Sequence, residues 1–221
     1  MDAPKLSQPR SFVVLLSGTH VTGKETLAFS LSKLLGCPWL KGEMAHVAAN
    51  FGARAQSRKG YDCAEVFGRI WSSKMQQIGL LLGSDYGRNN EGLDGRIPNR
   101  ISSYVSDGRE FERRCEALIT CYAMRKHTRD VIRDVMLAHS VRPVFVIMQI
   151  TKEALSGRTL GAEDPVLAAK IMETKMADIE EPLMEEENTI VVNSMLDVDA
   201  LQLEIMEQIG QQLVPVRDGE Y

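Results

Sequence analysis

An apolar run, Phe12-Val13-Val14-Leu15-Leu16, leads directly into Gly18-Thr19-His20-Val21-Thr22-Gly23-Lys24-Glu25-Thr26. A helical pattern of Leu27, Phe29, Leu31, Leu34 and Leu35 follows and is closed by Gly36. Strand, glycine loop and helix in this order and spacing constrain the chain more than any other segment. Glycines let backbone N–H groups converge on a polyphosphate, the helix N-terminus adds partial positive charge, and the lysine reaches the outer phosphates. Residues 18–26 are therefore expected to bind nucleotide phosphates. One position departs from the pattern: the residue after Lys24 is normally Ser or Thr, whose hydroxyl ligates Mg²⁺, and here it is Glu25.

The 221 residues suffice for one well-buried α/β domain. Thirty acids against 26 bases, a net charge of −4, argue against a nucleic-acid footprint, which is basic. No apolar stretch approaches the ~20 residues that a membrane span needs, and Met1-Asp2-Ala3-Pro4-Lys5 lacks a signal-peptide layout. The expectation is a cytoplasmic protein. Cys37, Cys63, Cys115 and Cys121 form no CxxC pair and read as reduced thiols, Cys115 and Cys121 beside a strand. His20, His46, His127 and His139 have no zinc-ligand spacing.

Along the chain, residues 1–10 read as a flexible tail and 11–221 as a single domain. A short strand at Trp39-Leu40 delivers Lys41-Gly42-Glu43, and 45–82 reads as helical with a break at Lys59-Gly60. Glycine, asparagine, serine and aspartate dominate 83–108, which reads as a long loop or insertion. Ala117–Cys121, Val144–Met148 and Thr189–Val192 read as strands. Helices are expected over Arg125–Ala138, from Lys152, over Pro165–Ile179 and over Val198–Leu213. Strands alternating with helices imply a parallel sheet in a three-layer α/β/α fold. Trp71, Met124 and Met136 read as core, and the acidic run Glu180-Glu181 with Glu185-Glu186-Glu187 as a solvated turn.

Three further segments carry a resemblance. Lys41-Gly42-Glu43-Met44-Ala45-His46, followed by Asn50, is similar to a D-G-D-x-L-H…N segment. Cys121-Tyr122-Ala123-Met124-Arg125-Lys126-His127-Thr128-Arg129-Asp130 is similar to C-S-A-L-K-x-x-Y-R-D. Leu155-Ser156-Gly157-Arg158 and Lys175–Pro182 are similar to a lid helix and a Q-x-x-x-L-E-x-P segment. Taken in order with the phosphate loop, these motifs resemble the gluconokinases within the shikimate-kinase-like P-loop small-molecule kinases, over most of residues 12–209 except the insertion.

The resemblance implies a nucleoside-monophosphate-kinase-like fold with a small helical lid at about 153–170. It also implies ATP- and Mg²⁺-dependent phosphoryl transfer to a hydroxyl of a small polyol acid. Carried over by position, Gly18, Thr22, Gly23 and Lys24 cradle the phosphates, with Thr19, His20, Val21, Glu25 and Thr26 completing the loop. Glu43 stands where an aspartate orients or deprotonates the acceptor hydroxyl. His46, Arg125 and Lys126 stand near the acceptor, where cations suit a carboxylate, and Arg158 matches a lid arginine. Asp62 and Arg69 are similar to a D-R-x-x-W substrate segment with slipped spacing. Expected partners are ATP and a small hydroxylated acceptor, with no nucleic acid and no membrane, and a homodimer accords with the family.

The sequence also departs from the family. Lys41 replaces the first aspartate of D-G-D, Tyr122 replaces a serine, and Ala162-Glu163-Asp164-Pro165 stands where the lid has a second basic residue and H-F. Two readings of the first changes stay open. Glu25 takes over Mg²⁺ ligation as a hard oxygen donor, or Lys41 pairs with Glu25 and leaves a metal-poor site. Thr26, roughly 100° further round the helix, points elsewhere. Two function classes follow: a small-molecule kinase for gluconate or a related sugar acid or polyol, and a nucleotide-binding pseudo-kinase acting through a partner. A GTPase is disfavoured because no N-K-x-D motif is present.

Overall fold

The computed structural model describes residues 11–19, 22–80, 100–104, 110–159 and 186–213, with Val166, Lys170, Glu173, Glu180, Pro182 and Leu183. Its centre is β1 (Ser11–Gly18), whose residues from Phe12 onward are all buried. The strand alternates between two cores. Val13 and Leu15 pack on one face, with Ile119, Trp71, Met136 and Phe145. Phe12, Val14 and Leu16 pack on the other, with Leu27, Leu31, Val146 and Ile205. A run apolar at every position is what a strand covered on both faces requires.

α1 (Lys24–Leu35) and α6 (Val198–Leu213) cover one face; α2 (Glu43–Ser57), α3 (Cys63–Gln77) and α4 (Lys126–Ala138) cover the other. The remaining strands are β2 (Trp39–Lys41), β3 (Arg100–Tyr104), β4 (Glu110–Cys121), β5 (Val141–Gln149) and β6 (Thr189–Asn193). The order is β2-β4-β1-β5-β6, all parallel, and β3 pairs antiparallel with the start of β4. The chain builds β2 and β4 on one side of β1 and then crosses to the other with β5. Such a reversal opens a crevice at the carboxyl ends of β1 and β4, where ligands bind in sheets of this type.

Two sequence readings need correction. Residues 100–104, expected to lie in an insertion without regular structure, form β3, paired from Arg100↔Arg114 to Tyr104↔Glu110. Its Ser102 and Ser103 leave little apolar signal, and the pairing makes β4 longer than the Ala117–Cys121 core that the sequence marks. Residues 83–99 and 105–108, residues 1–10, and nearly all of the helix expected over 165–179 lie outside the described residues.

The second correction concerns the acidic run. The Glu186 side chain is 3% exposed and accepts from Arg129 Nε (2.6 Å) and Nη2 (2.7 Å). Arg129 is itself fully buried and also donates to the Met124 carbonyl. Arg133 donates to Glu186 at 3.2 Å, and Glu180 accepts the Lys126 backbone N–H at 2.9 Å, satisfying an open donor at the start of α4. This part of the run is a clasp on α4 rather than a solvated turn. Trp71, Met124 and Met136 lie in the core as expected. In α1, Leu27, Leu31 and Leu35 are buried whereas Phe29 and Leu34 are exposed. No helix among the described residues is long and apolar enough to cross a membrane.

Candidate active site

The phosphate loop is built by backbone geometry. Gly23 caps α1 with φ +78°, a left-handed conformation in which a side chain is strained. Thr22 N–H and Oγ1 both donate to Thr19 O, at 3.4 and 2.9 Å, closing the turn. A Cβ on Gly18 would stand 2.9 Å from Thr22 Oγ1 and 3.1 Å from Met148 Cβ of β5, so any side chain here would force the loop or β5 to shift. Thr19 Oγ1 is buried and has no hydrogen-bond partner among the described residues. A buried hydroxyl without a partner at a loop mouth is the situation that a ligand oxygen relieves. His20 and Val21 lie outside the described residues.

Lys24 opens α1 and is only 4% exposed. Its Nζ sits 5.8 Å from the centre of the Tyr122 ring, within cation–π range. Glu25 and Thr26 face solvent. The Glu25 carboxylate lies 3.7 Å from Lys41 Nζ, with both side chains more than half exposed. The pairing that the sequence offered as one reading is present, in a form that solvent screens.

Glu43, half-buried, opens α2. Gly42 is indispensable to its placement: the Gly42 N–H donates to Thr120 O at 2.8 Å, and a Cβ there would meet Ile119 Cγ2 at 2.6 Å and Thr120 O at 2.9 Å. Trp39 Nε1 donates to Thr120 Oγ1 (3.2 Å), and Thr120 Oγ1 donates to Glu43 Oε2 (3.3 Å). Because the indole occupies the threonine oxygen as acceptor, the hydroxyl proton is directed to the carboxylate, leaving Oε1 free of this relay. Sequence reading did not single out Thr120; a hydroxyl inside the apolar run from Ala117 was the available signal. Cys121, next along β4, is fully buried. Burial pushes its thiol well up, the Glu43 charge adds to this, and Lys24 opposes it.

Beside these groups lies a cavity of about 710 Å³ between α2, α3 and the β4–α4 connection. His46 and Arg125, both expected near the acceptor, line it together with Tyr122, Arg54, Phe67 and His127. His46 is buried and meets Phe67 edge-to-face, ring centres 5.6 Å apart. Arg125 is exposed at the N-cap of α4. Lys126 is placed differently: its Nζ lies 2.6 Å from Asp130 Oδ2, and it does not line the cavity. Asp62 lines the cavity and also caps α3, accepting from Ala64 N–H at 2.7 Å; Arg69 is exposed. Arg158 lies in α5 (Lys152–Thr159), with its side chain outside the described residues. Arg54 and Phe67 carried no sequence motif; folding α2 against α3 is what brings them together.

A glycine loop after the central strand of a five-stranded parallel sheet, with a cavity at the adjoining crevice, defines the α/β P-loop fold of small-molecule kinases. No protein-family model matches the chain. The probable gluconokinase of Schizosaccharomyces pombe (strain 972 / ATCC 24843) is 21% identical over 187 residues, 85% of this chain and 82% of that protein. A gluconokinase from Sinorhizobium meliloti 1021 matches in structure with a TM-score of 0.55 at 14% identity, over 94% of this chain and 97% of that one. A sugar kinase from Janibacter sp. HTCC2649 matches at 0.55 and 17% identity, over 90% and 94%. The structural likenesses speak for the fold. With the sequence similarity, the chain resembles a divergent gluconokinase-like P-loop kinase.

Proposed function

We propose that this protein transfers the γ-phosphoryl group of ATP to a hydroxyl of a small molecule, gluconate or a related sugar acid or polyol, in the cytoplasm. The observation that carries the reading is the placement of Lys24 at the start of α1, directly after the β1 loop, and of Glu43 on Thr120 of β4, beside a cavity with His46 and Arg125 in its wall. Lys24 and the loop N–H groups hold the phosphates, and transfer rests on positioning and charge neutralisation. Glu43 receives the proton of the acceptor hydroxyl on Oε1, while Thr120 holds Oε2. Arg125 and His46 suit an anionic acceptor. Arg158 is assigned to the lid, where its charge would meet the transferred group.

Glu25 is the residue of this chain proposed to hold Mg²⁺. In phosphoryl-transfer sites this ion takes one or two carboxylates together with substrate phosphates, and Glu25 offers a hard oxygen in the first turn of α1. A Mg²⁺ ion held there would neutralise phosphate charge, and Glu25, now 3.7 Å from Lys41 Nζ, would be the residue to hold it.

The Lys41–Glu25 contact favours a second reading, a nucleotide-binding pseudo-kinase whose Glu25 carboxylate is engaged by Lys41. Metal dependence separates the two. Acceptor-dependent ADP release that needs Mg²⁺ and weakens in Glu25→Ala supports the kinase; nucleotide binding indifferent to Mg²⁺, with no turnover, supports the pseudo-kinase.

A further inference from the structure

Lys24 is an unusual cation. Its side chain is almost fully buried, yet among the described residues no carboxylate pairs with it, and its ammonium faces the Tyr122 ring. Burial without an anion is costly for an ammonium group. An aromatic face offsets part of that cost through its quadrupole, more so where water is excluded.

Tyr122 is itself well fixed. It follows the last residue of β4, and its carbonyl accepts from Ser17 Oγ of β1 at 2.9 Å, so the crevice between the two strands is bolted at this residue. The same side chain lines the cavity. Tyr122 therefore stands between Lys24 of the phosphate loop and the neighbouring cavity.

We propose that Tyr122 is a positioning residue that pre-organises the Lys24 ammonium for the outer phosphates of the nucleotide, and that it forms the wall between the phosphate loop and the acceptor cavity. The inference rests on the phosphate-binding reading of residues 18–24. A lysine stem has four rotatable bonds. Held against the ring, the ammonium is spared ordering when the polyphosphate arrives, and the phosphates meet there a cation already stripped of water. The contribution falls on outer phosphates, which Lys24 reaches, and not on the nucleoside.

Calorimetric titration of the full chain with a non-hydrolysable ATP analogue, and separately with adenosine, tests this in wild type, Tyr122→Phe, Tyr122→Ser and Tyr122→Leu. Tyr122→Phe keeps the ring and is expected to bind the analogue like wild type. Tyr122→Ser and Tyr122→Leu are expected to lose roughly two- to tenfold in analogue affinity, the range for ordering one long side chain on binding. Adenosine affinity stays unchanged in all, and each variant still unfolds in one cooperative thermal transition. Two non-aromatic variants guard against one of them misfolding. Equal affinities across the set, a loss in Tyr122→Phe as large as in Tyr122→Ser, or a parallel loss for adenosine would each overturn the role. Side-chain NMR of Lys24 in the nucleotide-free protein separates the two levels: ring-shifted methylene signals in wild type and Tyr122→Phe, absent in Tyr122→Ser, establish the contact itself. If wild type shows that shift yet fails to bind the analogue, the nucleotide reading fails and takes this inference with it.

Discussion

Arg129 and Glu186, 57 residues apart, meet in a two-pronged ion pair at 2.6 and 2.7 Å, with both side chains essentially removed from solvent. The pair ties α4, whose first turn borders the cavity, to the segment leading into β6. Removing one partner leaves the other charge buried alone. Arg129→Met or Glu186→Ala is expected to cost about 3–5 kcal/mol, read from urea unfolding at neutral pH. A loss below about 1 kcal/mol would show that the pair does not carry the clasp.

The same pair sets an acid limit. Burial acts to raise the Glu186 carboxyl, but Arg129 and Arg133 outweigh it and hold the group below its ordinary value. A folded-state pKa depressed in this way gives stability that is complete above the unfolded value and is lost as pH falls through the folded one. Unfolding free energy should therefore decline as pH drops below the ordinary glutamate value of 4.5, and Glu186→Gln should flatten that decline. Identical pH profiles for the two proteins would refute the assignment.

Gly42 tests the placement of Glu43. Its added Cβ in Gly42→Ala would press on Ile119 and the Thr120 carbonyl, displacing the start of α2. Overpacking of this kind costs about 1–3 kcal/mol. Turnover is expected to fall further than stability accounts for, because Glu43 moves with the backbone. Wild-type turnover in a folded Gly42→Ala protein would argue that Glu43 needs no such placement.

Thiol chemistry offers a check on the fold. Cys63 is exposed at the start of α3, whereas Cys115 and Cys121 are buried, and burial raises both thiols above their ordinary values. Iodoacetamide followed by peptide mass spectrometry should label Cys63 in the native protein, and Cys115 and Cys121 only after unfolding. Native labelling of Cys121 would contradict the packing at the end of β4.

The phosphate loop was legible because its chemistry is local: an apolar strand, glycines where side chains cannot fit, and a lysine at the helix start, all within residues 12–36. The order of strands and helices was legible for the same reason, since period and punctuation mark each element separately. What the sequence hid depends on distant partners. Glu186 reads as one acid in an acidic run, and only its meeting with Arg129 makes it a buried ion pair. β3 reads as loop because two serines mask its alternation, and antiparallel pairing with β4 is what makes it a strand. Thr120 reads as an interruption in an apolar strand until Trp39 and Glu43 arrive from β2 and α2. The exchanged charges of Glu25 and Lys41 allow pairing on sequence alone, and the two lie 3.7 Å apart.

The central claim is that Lys24 and Glu43 serve one phosphoryl transfer. The most direct measurement is ADP release from ATP and Mg²⁺ against a panel of sugar acids, polyols and hydroxylated metabolites that includes gluconate and shikimate. The expected result is acceptor-dependent ADP in wild type that disappears in Lys24→Ala and in Glu43→Gln. Nucleotide binding with no turnover on any acceptor, or turnover that survives Glu43→Gln, would contradict it.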